Sequence, residues 1–264
     1  MNTLAHWIGH RLARYLARPR LQHGTSAPAD LQRLAECLRA GDVLLVEGHS
    51  KFSSAIKYLT QSTWSHAALY VGAALECGDV NGEPLCFIEA DVIEGVRAVP
   101  LSAFAGLHAR VCRPVSLRAD ELGALIGHAR ARIGQRYDLK NIVDLVRYLL
   151  PTPPVPQHWR RRMLALGSGD PTRAICSTLI AQAFQSVRYP ILPLIEQRST
   201  GDPLCPACVE QILHVRHHSL FVPRDFDVSP YFQVVKPTLS AGFDHHALRW
   251  HEAVEISVQR APAL

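Results

Sequence analysis

The sequence predicts an α+β fold in a single domain, in which a run of short strands lies between helices. Five short apolar segments follow one another between residues 43 and 115, separated by turn-forming residues. Such a succession favours an antiparallel sheet or a partial barrel. Apolar residues at helical spacing precede and follow this region. A chain of 264 residues is also long enough to bury a core without disulfide bonds.

Composition and charge exclude several classes of protein. Apolar residues make up 48% of the chain and charged residues 19%, which excludes a disordered protein. The net charge is +5, but residues 1–29 carry four arginines and no acidic residue, so the remaining chain is nearly neutral. A nucleic-acid-binding protein needs a basic folded surface. We therefore expect no nucleic-acid partner.

The sequence predicts a cytoplasmic protein. No apolar run approaches the roughly 18–20 residues that a membrane-spanning helix needs. The N-terminus lacks the compact apolar stretch and small-residue cleavage site of a signal peptide. The chain has seven cysteines, an odd number, and we expect them to be thiols in a reducing compartment.

Residues 1–20 have the pattern of a basic amphipathic helix. Apolar residues recur along one face and arginines flank it, at Arg11, Arg14 and Arg18, before Pro19 ends the pattern. Two interpretations remain open. The helix packs against its own domain, or it lies on an anionic membrane surface as a peripheral contact.

The remaining elements follow in order along the chain. An Asn81-Gly82 pair predicts a tight hairpin turn. Four prolines between 151 and 156 predict an extended loop. Helices are predicted at 29–38, 53–59, 120–133, 139–150 and 176–187, and strands at 43–46, 65–72, 85–90, 95–99, 109–115, 220–222, 232–235 and 254–258.

Cys176 stands at the start of the apolar helix predicted for residues 176–187. A helix N-terminus presents unpaired N–H groups and positive potential, which lowers the pKa of a thiol. The same N–H groups can bind an oxyanion. The alternative is a buried, inert cysteine, which is the more common fate of this residue.

Two further polar residues stand at the ends of apolar strands. His66 opens one strand, which favours a side chain aimed at the edge of a cleft, and a structural histidine is the alternative. Glu89 closes another, where burial without a partner would be costly and an imidazole would relieve that cost. An exposed carboxylate is the alternative there. Together with Cys176 they supply a nucleophile, a base and a residue that orients the base, as acyl transfer requires.

The order His66, Glu89, Cys176 resembles that of the permuted papain-like cysteine hydrolases, the YiiX/YebB-like branch of the NlpC superfamily. The resemblance covers about residues 40–190 and is most specific around the histidine and the cysteine. The matching segments are 41–45, 56–72, 88–90 with 95–101, 134–138 and 175–177.

The resemblance implies a circularly permuted papain-like (NlpC-type) fold, with the nucleophile helix packed against an antiparallel sheet. It implies Cys176 as nucleophile, His66 as base and Glu89 as the residue that orients the imidazole. Tyr137, Ser65 and Ser177 are expected to bind substrate. The domain division predicted is 1–39 for the N-terminal helix and linker, 40–190 for the catalytic core and 191–264 for a C-terminal extension packed on it.

The function that the resemblance implies is that of a cysteine hydrolase or acyltransferase working through a thioester. A lipid or another acyl amide or ester is the expected substrate, because residues 1–20 fit a membrane surface. A cell-wall peptide amidase or endopeptidase of the same fold is one alternative. A non-catalytic lipid-binding module is another.

A Cys-x-x-Cys pair, Cys205 and Cys208, stands in the tail and is followed by His214, His217 and His218. A zinc site that includes Cys205, Cys208 and His217, a disulfide or redox pair, and unliganded thiols all fit this pattern. No Gly-rich phosphate loop and no His-Glu-x-x-His motif occurs in the sequence. We expect the catalytic chemistry to need no cofactor.

Overall fold

A computed structural model describes residues 29–72, 78–91, 94–135, 175–199, 205, 209–240 and 242–247. The predicted N-terminal helix, helix 139–150, the proline-rich loop and the strand at 254–258 lie outside these residues. Within them the chain forms a mixed α+β structure, as predicted. No helix in these ranges has both the length and the apolar character needed to cross a bilayer.

The centre of the fold is a six-stranded antiparallel sheet. Its strands are β1 Val43–Glu47, β2 His66–Tyr70, β5 Phe87–Asp91, β6 Gly95–Val99, β7 His108–Pro114 and β10 Phe232–Val235. Their order in the sheet is β10-β7-β1-β2-β5-β6. The outer strands β10 and β6 do not pair with each other in the described ranges, so these strands do not close into a barrel.

The predicted hairpin turn is present between two short strands, β3 Asp79–Val80 and β4 Glu83–Pro84. Asn81 and Gly82 both have positive φ, at 56° and 80°. A two-residue turn of this kind matches the twist of its strands, and Asn-Gly adopts it readily.

The predicted helices within the described residues are confirmed, with their ends shifted by one to three residues. Side-chain caps define two of the starts. The carboxylate of Asp30 accepts hydrogen bonds from the N–H groups of Gln32 and Arg33, and the hydroxyl of Ser50 accepts one from Ser53. The helices are α1 Leu31–Cys37, α2 Lys51–Thr60, α3 Ala119–Arg130, α4 Ile175–Ser186, α5 Pro223–Asp227 and α6 Pro237–Ser240.

Both faces of the sheet are covered, which explains why β1 is a continuous apolar run. Val43 and Leu45 face one core cluster, with side chains of α3 and α4. Leu44 and Val46 face a second cluster, with Leu34 of α1. Successive residues of a strand point to opposite faces, so a central strand covered on both sides has no polar face.

The C-terminal part of the chain enters this core. Strand β10 extends the sheet beside β7, and α5 adds Phe226 to a group of aromatic rings. Phe184 of α4 contacts Tyr189, Phe226 and Phe232, with ring centroids 5.1–6.3 Å apart. Helix α4 is thereby held between the sheet and the C-terminal segment.

Two features of this segment differ from the sequence predictions. The strand predicted at 220–222 is wrong: His218–Leu220 form a 3₁₀ turn that inserts Phe221 into the core, and α5 begins directly afterwards at Pro223. A hairpin of β8 Leu194–Ser199 and β9 Val209–His214 was not predicted. It is largely exposed, so its sequence lacks the alternation that burial of one face produces.

Phe184→Ala tests whether the aromatic group holds α4 to the C-terminal segment. Phe184 is fully buried, so we expect the substitution to reduce the free energy of unfolding by about 3–5 kcal/mol. Urea unfolding monitored by circular dichroism measures the change. Phe184→Leu keeps most of the apolar volume, so it should reduce the free energy of unfolding clearly less than Phe184→Ala does. Equal free energies of unfolding for Phe184→Ala and wild type would contradict the prediction.

Candidate active site

His66 and Glu89 lie on neighbouring strands and are joined by a hydrogen bond. Ala68 of β2 is paired with Glu89 of β5, which makes His66 and Glu89 diagonal neighbours on one face of the sheet. The distance from His66 Nε2 to Glu89 Oε2 is 2.7 Å. The carboxylate side chain is 6% exposed and the imidazole 28%. The carboxylate is therefore enclosed, while the imidazole borders solvent.

Cys176 lies in the first turn of α4, which packs against β2 and β5. Its thiol is buried and hydrogen-bonded to the imidazole of His66. The backbone N–H of Ala67, the residue after His66, also donates to the sulfur. Three residues that are far apart in the sequence are thus brought into one contiguous group.

The electrostatics of this group favour a thiolate beside an imidazolium. Burial opposes ionisation of Cys176, but the positive charge and hydrogen bond of His66 lower the pKa of the thiol below its ordinary value. Burial also opposes the charged form of His66. The charge and hydrogen bond of the Cys176 thiolate, followed by those of Glu89, nevertheless hold the pKa of the imidazole well above its ordinary value.

Glu89 is ionised throughout the physiological range. Burial opposes its charge, but the hydrogen bond and charge of His66, and then those of Arg97, lower the pKa of Glu89 to about 2. Arg97 stands opposite Glu89 in the pairing of β5 with β6, and its Nε lies 2.9 Å from Glu89 Oε1. The sequence analysis did not identify Arg97. The available signal was an arginine within an otherwise apolar strand, following the strand that carries Glu89.

Of the three residues expected to bind substrate, two are buried and the third lies outside the described residues. Ser65 is buried, and its hydroxyl accepts a hydrogen bond of 2.9 Å from the N–H of Gly48, which ties the end of β1 to the start of β2. Ser177 is also buried, with its Oγ 3.9 Å from Cys176 Sγ. Tyr137 lies outside the described residues. Substrate binding by all three stays a prediction.

The residues considered for a zinc site contact different partners and do not form one group among the described residues. Cys205 is disulfide-bonded, and Cys208 lies outside the described residues. His217 Nδ1 lies 2.8 Å from Ser219 Oγ, and His214 Nε2 lies 2.8 Å from Glu196 Oε2. A disulfide sulfur offers no thiolate to a metal ion, so the zinc alternative would require the reduced form. The expectation that the cysteines are thiols is wrong at Cys205.

Another group of potential metal ligands lies near the end of the described chain. The ligand atoms of Asp244, His245 and His246 are within 4.8 Å of one another, and all three residues are exposed.

Residues 37–148 match the family model of the permuted papain-like amidases, YaeF/YiiX, C92 family. The resemblance seen in the sequence is confirmed. The matched segment contains His66 and Glu89 and ends before Cys176. At the level of this family, the match supports a thiol-dependent amidase or hydrolase with a permuted papain-like fold.

Among solved structures, the chain is similar to the metalloprotein YiiX from Escherichia coli O157:H7. The two share 16% sequence identity, and the alignment covers 75% of this chain and 96% of that one, with a TM-score of 0.42. No curated protein matches the sequence.

The ionisation of Cys176 is directly testable by alkylation with iodoacetamide across a pH series, followed by mass spectrometry. We expect half-maximal alkylation of Cys176 at a pH below the ordinary thiol value, near 8.5, because the thiolate is the reacting form. His66→Ala removes the positive charge and leaves the burial, so the midpoint should move above that of wild type. An unshifted midpoint in His66→Ala would contradict the pairing.

The same digest contains an internal control. Burial, followed by the negative charge of Asp227, raises the pKa of Cys112 to about 12. Cys112 should therefore remain unmodified in both proteins over the pH range in which Cys176 reacts. Modification of Cys112 at the same pH as Cys176 would indicate unfolding rather than a reactive thiol.

Proposed function

We propose that the protein is a cysteine hydrolase or acyltransferase that cleaves the acyl bond of a lipid, or of another acyl amide or ester, through a thioester on Cys176. The observation that carries the proposal is the contact of a buried thiol of lowered pKa with an imidazole whose other partner is a buried carboxylate. Covalent acyl transfer requires these contacts: the nucleophile beside its base, and the base beside a group that orients it.

The first half of the reaction forms the thioester. The thiolate of Cys176 attacks the acyl carbonyl carbon, and the negative charge develops on the carbonyl oxygen. The first N–H groups of α4 have no acceptor within the helix, so they are available to that oxyanion. His66 then gives its proton to the leaving amine or alcohol as the carbon–heteroatom bond breaks, which leaves the acyl group on sulfur and the imidazole neutral.

The second half returns the enzyme to its starting state. Neutral His66 takes a proton from water, or from an amine or alcohol acceptor, as the acceptor attacks the thioester carbonyl. The carbon–sulfur bond breaks, and the thiolate and imidazolium are restored. Glu89 remains ionised throughout, because the pKa of its carboxyl is about 2, and its hydrogen bond holds the imidazole between sulfur and acceptor.

Intact-mass spectrometry with a panel of acyl donors tests the nucleophile and the substrate class. The panel contains fatty-acyl amides, fatty-acyl esters and peptides released from cell walls. We expect a mass increase equal to the acyl group with a fatty-acyl donor, located at Cys176 and reversed by hydroxylamine. Cys176→Ala should lose the adduct and at least about a thousandfold of the turnover, because no covalent intermediate can form.

The outcomes separate the alternatives. An adduct or turnover with cell-wall peptides alone would identify the protein as a cell-wall peptide amidase or endopeptidase. Full activity of Cys176→Ala, with circular dichroism like that of wild type, would overturn the mechanism. Binding of fatty-acyl donors without any adduct or turnover would identify a lipid-binding module. Adding an amine acceptor to a reactive donor distinguishes acyl transfer from hydrolysis by the product formed.

The pattern of residues 1–20 supports a lipid substrate and can be tested separately by vesicle flotation. Each basic residue near an anionic surface contributes about 1 kcal/mol to binding. Replacing Arg11, Arg14, Arg18 and Arg20 by Gln should therefore abolish flotation with vesicles rich in phosphatidylserine. Replacing four exposed arginines of the folded core by Gln, at Arg33, Arg118, Arg130 and Arg198, removes the same number of charges. This matched control should have no such effect. Unchanged flotation of the four-residue variant would remove this support.

A further inference from the structure

The two oxygen atoms of the Glu89 carboxylate are divided between two partners. Oε2 lies 2.7 Å from His66 Nε2. Oε1 accepts from Arg97 Nε at 2.9 Å and also lies 2.8 Å from Arg97 Nη2. A carboxylate held on only one oxygen can turn about its terminal bond. Glu89 is held on both, so its orientation toward the imidazole is determined by Arg97 as well as by His66.

Arg97 is itself held in place by its surroundings. It stands opposite Glu89 in the β5–β6 pairing, and its Nη1 forms an ion pair with Glu94. The backbone N–H of Glu94 donates to Asp91 Oδ1 at 2.8 Å, within the turn that joins the two strands. The Arg97 side chain is 38% exposed, whereas that of Glu89 is 6% exposed. The arginine thus extends the chain of contacts from the buried site to the surface turn.

We propose that Arg97 is a positioning residue, which fixes the Glu89 carboxylate so that Oε2 remains on the imidazole of His66. The proposal rests on the catalytic function proposed above. Arg97 acts through Glu89 and is not assigned a contact with substrate. The charged groups that face this network are Cys176 from α4, His66 from β2, and Asp91 and Glu94 from the ends of β5 and β6.

A positioning role and a purely electrostatic role predict opposite effects on the imidazole of His66. If Arg97 only screened the charge of Glu89, removing it would strengthen the attraction between Glu89 and the imidazolium, and the pKa of His66 would rise. If Arg97 positions Glu89, removing it lets the carboxylate leave the imidazole, and the pKa of His66 falls, as it does when Glu89 itself is neutralised. The thiol does not separate the two roles, because the loss of a nearby positive charge by itself also raises the pKa of Cys176.

The experiment is an NMR titration of the His66 imidazole in wild type, Arg97→Gln, Arg97→Lys and Glu89→Gln. We expect the pKa of the imidazole in Arg97→Gln to fall by about one pH unit, in the direction of Glu89→Gln. Arg97→Lys keeps the charge but loses the two-nitrogen contact with Oε1, and its imidazole pKa should lie between those of wild type and Arg97→Gln.

Two results would overturn the proposal: an imidazole pKa in Arg97→Gln equal to that of wild type, or a higher one. If Arg97→Gln does not fold, Arg97→Lys decides alone, because a wild-type imidazole pKa in that variant shows that positive charge suffices.

The matched control is Arg113→Gln, which disrupts another ion pair between an arginine and a buried carboxylate, that of Asp42. Arg113 contacts Asp42 at 2.9 and 2.7 Å, at the end of β1 remote from His66. This variant should lower the melting temperature and leave the imidazole pKa of His66 unchanged. Alkylation of wild-type Cys176 separates the two proposals, because an ordinary thiol midpoint contradicts the proposed function. A lowered thiol midpoint, together with an imidazole pKa that Arg97→Gln leaves unchanged, contradicts only the positioning role.

Discussion

Burial of ionisable groups beside one imidazole is the constraint on which the rest of the site depends. A thiolate or a carboxylate removed from water is unfavourable alone, and it becomes tolerable when a positive charge is in contact with it. Cys176 and Glu89 are both buried, and the imidazole of His66 lowers the pKa of each. The site therefore requires that the three side chains arrive at nearly fixed positions, because a displaced partner leaves a buried charge uncompensated.

The fold supplies these positions from elements that are themselves buried. The start of β2 carries His66, the adjacent strand β5 carries Glu89, and α4 presents its first turn beside them. The aromatic contacts of Phe184 fasten α4 to the C-terminal segment, whose last strand is part of the same sheet. Residues distant in sequence from Cys176, His66 and Glu89 thus contribute to the geometry of this group, since they limit the movement of the helix that holds the thiol.

The sequence predicted buried strands and helices better than exposed ones. The central strands and the helices at 119–130 and 175–186 leave clear apolar patterns because one or both of their sides enter the core. The exposed Asn81-Gly82 turn was predicted from the positive φ angles that this pair adopts readily. The hairpin β8–β9 is largely exposed and leaves no such pattern, and the strand predicted at 220–222 is a 3₁₀ turn anchored by Phe221. Arg97 was not identified because its role depends on the register between β5 and β6, which composition does not reveal.

The sequence by itself determined the fold class and the order of the main elements, because apolar periodicity and turn residues are local signals. It also proposed Cys176, His66 and Glu89 as a reactive group, through their order along the chain and its resemblance to a known family. Only the tertiary structure decided that the imidazole contacts both the thiol and the carboxylate, that Arg97 takes the second carboxylate oxygen, and that Ser65 joins two strands. These relations depend on ångström-scale distances between residues far apart in the chain. Strand register and helix packing set such distances, and local sequence does not encode them.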